Sequence, residues 1–238
     1  MNRINVSFGG IRGKRQKGFS LLEISIVLVV IAVIVSISVV GINLFQSAKG
    51  VKAYTDFIQE WVTSYDIYVK KVNAQPGDDL GNPLGRVVGP DGGPVLCDSQ
   101  AGAFLSNAML SKGVTIPQGR GPGRATKYVY EDRNGFPHEM QVCFATVSWA
   151  EPGKSVGTYA VVQKNVLDIR GLTPDLAWQF DGMVDSMVTG NLGNLRDATL
   201  AADISGVALP WSLAPNATVN GDSGEGQSAE LEAYLLLK

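Results

Sequence analysis

Gly18-Phe19-Ser20-Leu21-Leu22-Glu23 places one carboxylate four residues beyond a Gly-Phe junction, at the entrance to a run that carries no formal charge from Ile24 through Ala48. A carboxylate at a bilayer centre costs roughly 2.5 to 3.5 kcal/mol on insertion scales and less near the end of a segment, so Glu23 is a candidate functional group. Its available chemistry is ion pairing. Two opposite charges about 4 Å apart attract by about 4 kcal/mol at an effective dielectric near 20, before desolvation is subtracted. Cys97 and Cys143 are the only cysteines, and their even number suits a disulfide in an oxidising compartment, with two buried free thiols as the alternative. Closing their 46-residue separation would contribute about 4 kcal/mol in the chain-entropy account. Other groups point to no catalysis. His138 is the single histidine, without a Gly-x-Ser-x-Gly or metal-ligand spacing, and reads as a surface residue of a hairpin. Asp181 and Asp185 lie one helical turn apart; calcium takes six to eight oxygens, so the pair reads as a solvated face rather than a metal site. Gly119-Arg120-Gly121-Pro122-Gly123-Arg124 lacks the Gly-Lys-Ser/Thr ending of a phosphate cradle and reads as a loop. No cofactor is called for.

The elements that must position these residues follow from periodicity. Leu44, Ala48, Val51, Ile58, Trp61, Tyr65, Tyr68 and Val72 recur at three- and four-residue steps, which predicts that one helix continues from the apolar run to about Ala74, apolar all round in its first half and amphipathic in its second. Pro76-Gly77-Asp78-Asp79 ends it, and residues 76–95 read as a loop. A short helix is predicted over Ser99 to Lys112. Lys127–Glu131, a turn at Asn134-Gly135 and Met140–Val147 predict an antiparallel hairpin, with a third strand over Thr158–Val162. Thr173 as N-cap and Pro174 at the first position open another helix. A flexible tail over Asn216–Gln227 precedes a last apolar strand over Leu231–Leu237. The predicted class is α+β, a long amino-terminal helix packed on an antiparallel β-sheet.

Upstream of the apolar run, Arg3, Arg12, Lys14, Arg15 and Lys17 make a purely basic flank, which favours its retention in the cytoplasm and export of the rest. The combination of basic leader, Gly18, Phe19 and Glu23 closely resembles the cleavage and methylation signal of type IV pilins and the pseudopilins of type II secretion. The resemblance implies cutting between Gly18 and Phe19 by a prepilin peptidase that methylates the new terminus, and a Glu23 that meets the terminal amine of a neighbour during assembly. It implies further partners: other pilin or pseudopilin subunits through the amino-terminal helix, an inner-membrane assembly platform, and membrane lipid before assembly. Asp181, Asp185, Gly193, Leu195 and Arg196 are also similar to a segment of many prepilin-like proteins, although Ser186 and Met187 replace two of its positions. Cys97 lies earlier than the usual pilin bridge, and Val40 stands where many pilins carry a helix-kinking Pro.

The resulting organisation is a leader over 1–18, a transmembrane and assembly half-helix over 19–48, and a periplasmic or extracellular pilin-like domain over 49–238. The expected location is the bacterial inner membrane, single-pass, and then a pilus or pseudopilus. About 25 uncharged residues at 1.5 Å each reach about 37 Å, enough to span about 30 Å of hydrocarbon. Setting the five leader cations apart from the 20 Lys and Arg leaves 15 against 22 acidic residues, a formal balance of −7 that does not favour direct nucleic-acid binding. A globular part larger than that of a typical major pilin suits a minor pilin or minor pseudopilin without catalysis. Three alternatives remain at this level. An ordinary secretory signal would use Ile24–Val35 and cut near Ser36-Ile37-Ser38, an uncleaved anchor would need no Glu23, and a membrane-anchored adhesin or carbohydrate-binding module would exploit the Gly-rich loops.

Overall fold

Helix begins at Leu21 and persists through three consecutive segments: α1 (Leu21–Ala53), a π-helical turn (Tyr54–Ile58) and α2 (Gln59–Val72). The computed structural model describes residues 18–155, 157–220 and 226–238, without the side chains of 37–46, 220 and 226; the leader cations Arg3 to Lys17 lie outside the described residues. The chain divides into two compact units between Leu44 and Phe45. Asn73, left-handed at φ 57°, stops α2 by donating its N–H to the Val69 carbonyl at 2.8 Å. The helix therefore ends within two residues of the predicted stop, ahead of Pro76.

The π-turn accounts for one discrepancy. An i→i+5 turn adds one residue to the helical path, so a face traced back from Trp61 and Ile58 slips by one position. Gly50 and Ala53 are buried, whereas Ala48 and Val51, predicted from unbroken helical spacing, are exposed. Within α2 the predicted stripe holds: Trp61, Tyr65 and Tyr68 are buried, and Ser64 among them donates its hydroxyl to the Thr115 carbonyl at 2.8 Å.

The sheet of the second unit receives this face. Its strands are β1 (Val95–Leu96), β4 (Lys127–Glu131), β5 (Pro137–Pro152), β6 (Tyr159–Leu172), β7 (Leu195–Asp197) and β10 (Leu231–Leu236). The order is β1-β5-β6-β10-β7, with β4 also on β5, and every pairing is antiparallel. Two small ribbons, β2 (Asp98–Ser99) with β3 (Gly102–Ala103) and β8 (Thr218–Asn220) with β9 (Gly226–Ser228), stand apart. Helices α3 (Phe104–Ser111) and α4 (Pro174–Val184) complete the α+β architecture. Alternation along β5 sends Met140, Val142 and Phe144 into the core beneath α2, where they join Leu167 and Ile169 of β6. The Phe144 ring meets Trp61 at 5.9 Å and Tyr65 at 5.2 Å, both edge-on, the arrangement that aromatic quadrupoles favour. Ala145, Trp149 and Val166 form a second, smaller cluster with Ala201.

Several sequence expectations need adjustment. The short helix begins at Phe104 rather than Ser99, because residues 98–103 are spent on the β2–β3 ribbon. The third strand runs to Leu172, ten residues past its predicted end, since Lys164, Asp168 and Arg170 interrupt the apolar pattern that would have announced it. Thr173 precedes α4 as predicted, yet its side chain makes no capping bond; its carbonyl accepts the Ala177 N–H at 3.0 Å. Part of the tail expected to be flexible forms β8 and β9, and residues 221–225 lie outside the described residues.

A bulge aligns β10 with β6: Leu231 faces Leu172 and Ala233 faces Ile169, so Arg170 and Gly171 together oppose Glu232. Gly171 adopts φ 74°, and a Cβ there would approach the Glu139 carbonyl oxygen to 2.5 Å. Both the positive φ and the backbone neighbour exclude a side chain. Tyr130 fixes the bend, its hydroxyl donating to the Gly171 carbonyl and accepting the Thr173 N–H, each at 2.8 Å. Gly171→Ala should destabilise the domain by about 1–3 kcal/mol, read as a lower urea midpoint at unchanged m-value.

Candidate functional site

Ser20 sets the geometry of the amino-terminal motif. Its hydroxyl accepts the Glu23 N–H at 3.2 Å and its carbonyl accepts the Ile24 N–H, also at 3.2 Å, so Ser20 is the N-cap of α1 and Glu23 its third helical residue. Ser-x-x-Glu is the spelling of a capping box, a signal already present in the sequence and passed over there. A carboxylate in the first turn also complements the positive end of the helix dipole by about 0.3–1 kcal/mol. Gly18, Phe19 and Glu23 thus lie together at one exposed helix start, with Phe19 at 77 % exposure. A Cβ on Gly18 would meet nothing within 4 Å, so the fold itself does not require glycine there.

Beyond the cap, Ile24, Ile26–Ile31 and Val33–Val35 are all exposed, on every side of the helix. Apolar surface of that extent marks a segment made to meet lipid or other helices. Among the described residues no helix is long and apolar enough to cross a membrane. The uncharged run read from the sequence passes through 37–46, whose side chains lie outside the described residues.

Cys97 and Cys143 form a disulfide. Leu96 pairs with Phe144, so the register carries Cys97 directly opposite Cys143, with Cα atoms 4.6 Å apart. The bond ties the end of the Gly- and Pro-rich loop to β5.

Two sequence readings are overturned. Asp181 is fully buried rather than part of a solvated face: its Oδ2 accepts the Thr189 N–H at 3.0 Å and the Trp211 Nε1–H at 2.9 Å, while Oδ1 is buried without a partner. Asp185 accepts the N–H groups of Asn194 at 2.7 Å and Leu195 at 3.0 Å. Helical spacing could not reveal this, because the chain from 186 to 211 folds back over the helix end. His138 is likewise buried rather than on the surface, with Nε2 3.3 Å from Asp132 and Nδ1 3.0 Å from Glu230, and its ring stacks on Tyr130. Both ring nitrogens are occupied by this clasp between hairpin and carboxyl-terminal segment. Among the described residues no three His, Cys, Asp or Glu side chains are grouped to hold a metal ion.

Residues 13–39 match the prokaryotic N-terminal methylation motif. This is the type IV pilin and pseudopilin signal, and the chain carries it at the residues whose geometry is given above. The motif implies processing by a prepilin peptidase and assembly with other pilin subunits. No curated protein and no solved structure gives a significant match to the chain. The long helix and antiparallel sheet are consistent with a pilin-like fold.

Buried carboxyls give the domain a definite pH response. Burial pushes Asp168 up to about 7 and Asp181 up to about 6, although Arg170, 2.7 Å from Asp168, pulls the other way. Both groups hold protons in the folded state that the unfolded chain has released above about pH 4. Their stabilising contribution is therefore complete below about pH 4 and lost as pH rises towards 7. Asp78, Asp132 and Glu139 are lowered despite burial by hydrogen bonds, from backbone amides for Asp78, Ser228 and amides for Asp132, and Lys127 and Arg120 for Glu139; their contribution is lost on acidification below about pH 4. Stability measured by urea unfolding should peak near pH 5 and fall by about 1–3 kcal/mol at pH 8, and Asp168→Asn should remove much of that fall.

Proposed function

We propose that the chain is a non-catalytic minor pilin or minor pseudopilin of a type IV pilus or type II secretion-like filament. It is held in the bacterial inner membrane by the helix over 19–48, with the 49–238 domain on the periplasmic side, until it enters a filament. The observation that carries this reading is the methylation motif over residues 13–39. The exposed Gly18–Phe19 junction supports it, since a peptidase needs an accessible bond, and so does the all-round apolar surface of α1. The prepilin peptidase cuts after Gly18 and methylates Phe19, the assembly platform extracts the subunit, and Glu23 pairs with a neighbour's terminal amine to set axial register. Intact-mass analysis of membrane-extracted protein should find a chain that begins at methylated Phe19; a chain that begins at Val39 would be the product of an ordinary secretory signal and refutes the reading.

Ser20 and Glu23 allow the cap and the charge to be separated. Glu23→Gln removes the charge and leaves the Ser20 hydroxyl bound to the residue-23 backbone N–H, whereas Ser20→Ala removes the cap and keeps the charge. In sheared-filament and membrane fractions, Glu23→Gln should lower filament incorporation roughly tenfold, equivalent to about 1.4 kcal/mol, with cleavage intact. Ser20→Ala should assemble nearly as wild type. Equal incorporation of Glu23→Gln and wild type contradicts an assembly role for the charge.

A further inference from the structure

The last turns of α1 present a polar and aromatic recess that the filament reading leaves without a role. Lys49 and Lys52, three residues apart and hence on one helix face, line a cavity of about 280 Å³ with Tyr128, Val129 and Pro137. They are the first two cations after the uncharged run Ile24–Ala48. Lys49 lies 2.6 Å from Glu131, but both side chains are about half exposed, and exposed pairs of this kind contribute little. An ammonium carries three donors, so Lys49 can meet a second anion beside Glu131. Lysine stems reach along apolar surface while their heads seek water or phosphate, and tyrosines favour the same depth at a membrane boundary.

We infer that Lys49 and Lys52, with the shelf formed by Tyr128, Val129 and Pro137, bind the phosphate of an anionic membrane phospholipid while the subunit is still in the bilayer. This rests on the membrane reading above and adds to it a lipid class and a site. Phosphate offers several acceptor oxygens to two ammonium groups, and the predominantly apolar shelf suits the glycerol and the upper acyl carbons. A zwitterionic headgroup brings its own cation against the lysines and binds less well. Glu131 competes with the lipid for Lys49 and sets the strength of the site.

The test uses the full chain reconstituted in vesicles of mixed phosphatidylglycerol and phosphatidylcholine, with each lipid spin-labelled in turn. Wild-type protein should hold phosphatidylglycerol in preference to phosphatidylcholine, and Lys52→Gln should reduce that preference about fivefold. Glu131→Gln should raise it, because a carboxylate that competes with the lipid for Lys49 is removed. Lys70→Gln, an equal loss of charge roughly 27 Å further along the helical path, should leave it unchanged. Insertion is read separately, as resistance to alkaline extraction. Inserted protein whose lipid preference is the same in wild type and Lys52→Gln, or falls equally with Lys70→Gln, overturns the lipid site alone. Failure of the chain to insert overturns the membrane reading and the site with it.

Discussion

The edge-on contact of Phe144 with Trp61 and Tyr65 is the interaction on which the domain depends. It joins the helix to the middle of the longest strand, and the remaining core collects around it: Leu105 and Met109 from α3, Ala177 and Phe180 from α4, and Ala233 and Leu235 from β10. The adjacent disulfide holds β1 and its preceding loop to the same stretch of β5. A single strand thus organises both faces, since Cys143 and Ala145 point away from the helix while Val142 and Phe144 point towards it.

The second face of the sheet is more polar than the first. Asp168 is bonded to Arg170 on β6, and Arg196 lies 3.9 Å over the Trp149 ring and donates to the Ala150 and Ala201 carbonyls. Burial of such groups gains little in stability when compared with apolar packing, but each must find its partner or remain uncompensated. The stability of this face therefore comes chiefly from its apolar cluster of Ala145, Trp149, Val166 and Ala201. The domain combines an apolar layer beneath the helix with a second face on which buried polar groups sit beside a smaller apolar cluster.

Much of the fold was legible in the sequence because its largest elements are locally determined. The α2 stripe of Trp61, Tyr65 and Tyr68 and the hairpin around Asn134-Gly135 announce themselves by spacing and turn chemistry. What escaped depends on distant residues. The π-turn displaced Ala48 and Val51 from the predicted stripe, the polar positions of β6 concealed a strand that other elements stabilise, and His138, Asp181 and Asp185 acquired partners up to 92 residues away in sequence. At the amino terminus the motif Gly18-Phe19…Glu23 was readable outright, being a linear signal, whereas the Ser20 cap was spelled in the same residues and overshadowed by it.

One consequence lies in strand order. β10, the last strand of the sequence, pairs with β6 on one side and β7 on the other, so the sheet lacks an interior member until residues 231–236 arrive. Pairings of this separation are slow to form, because long loops must close before their contacts repay the entropy. The β5–β6 hairpin can form early from neighbouring residues, but the sheet closes only when residues 231–236 enter between β6 and β7, so the domain's folding waits on the strand that lies furthest along the sequence.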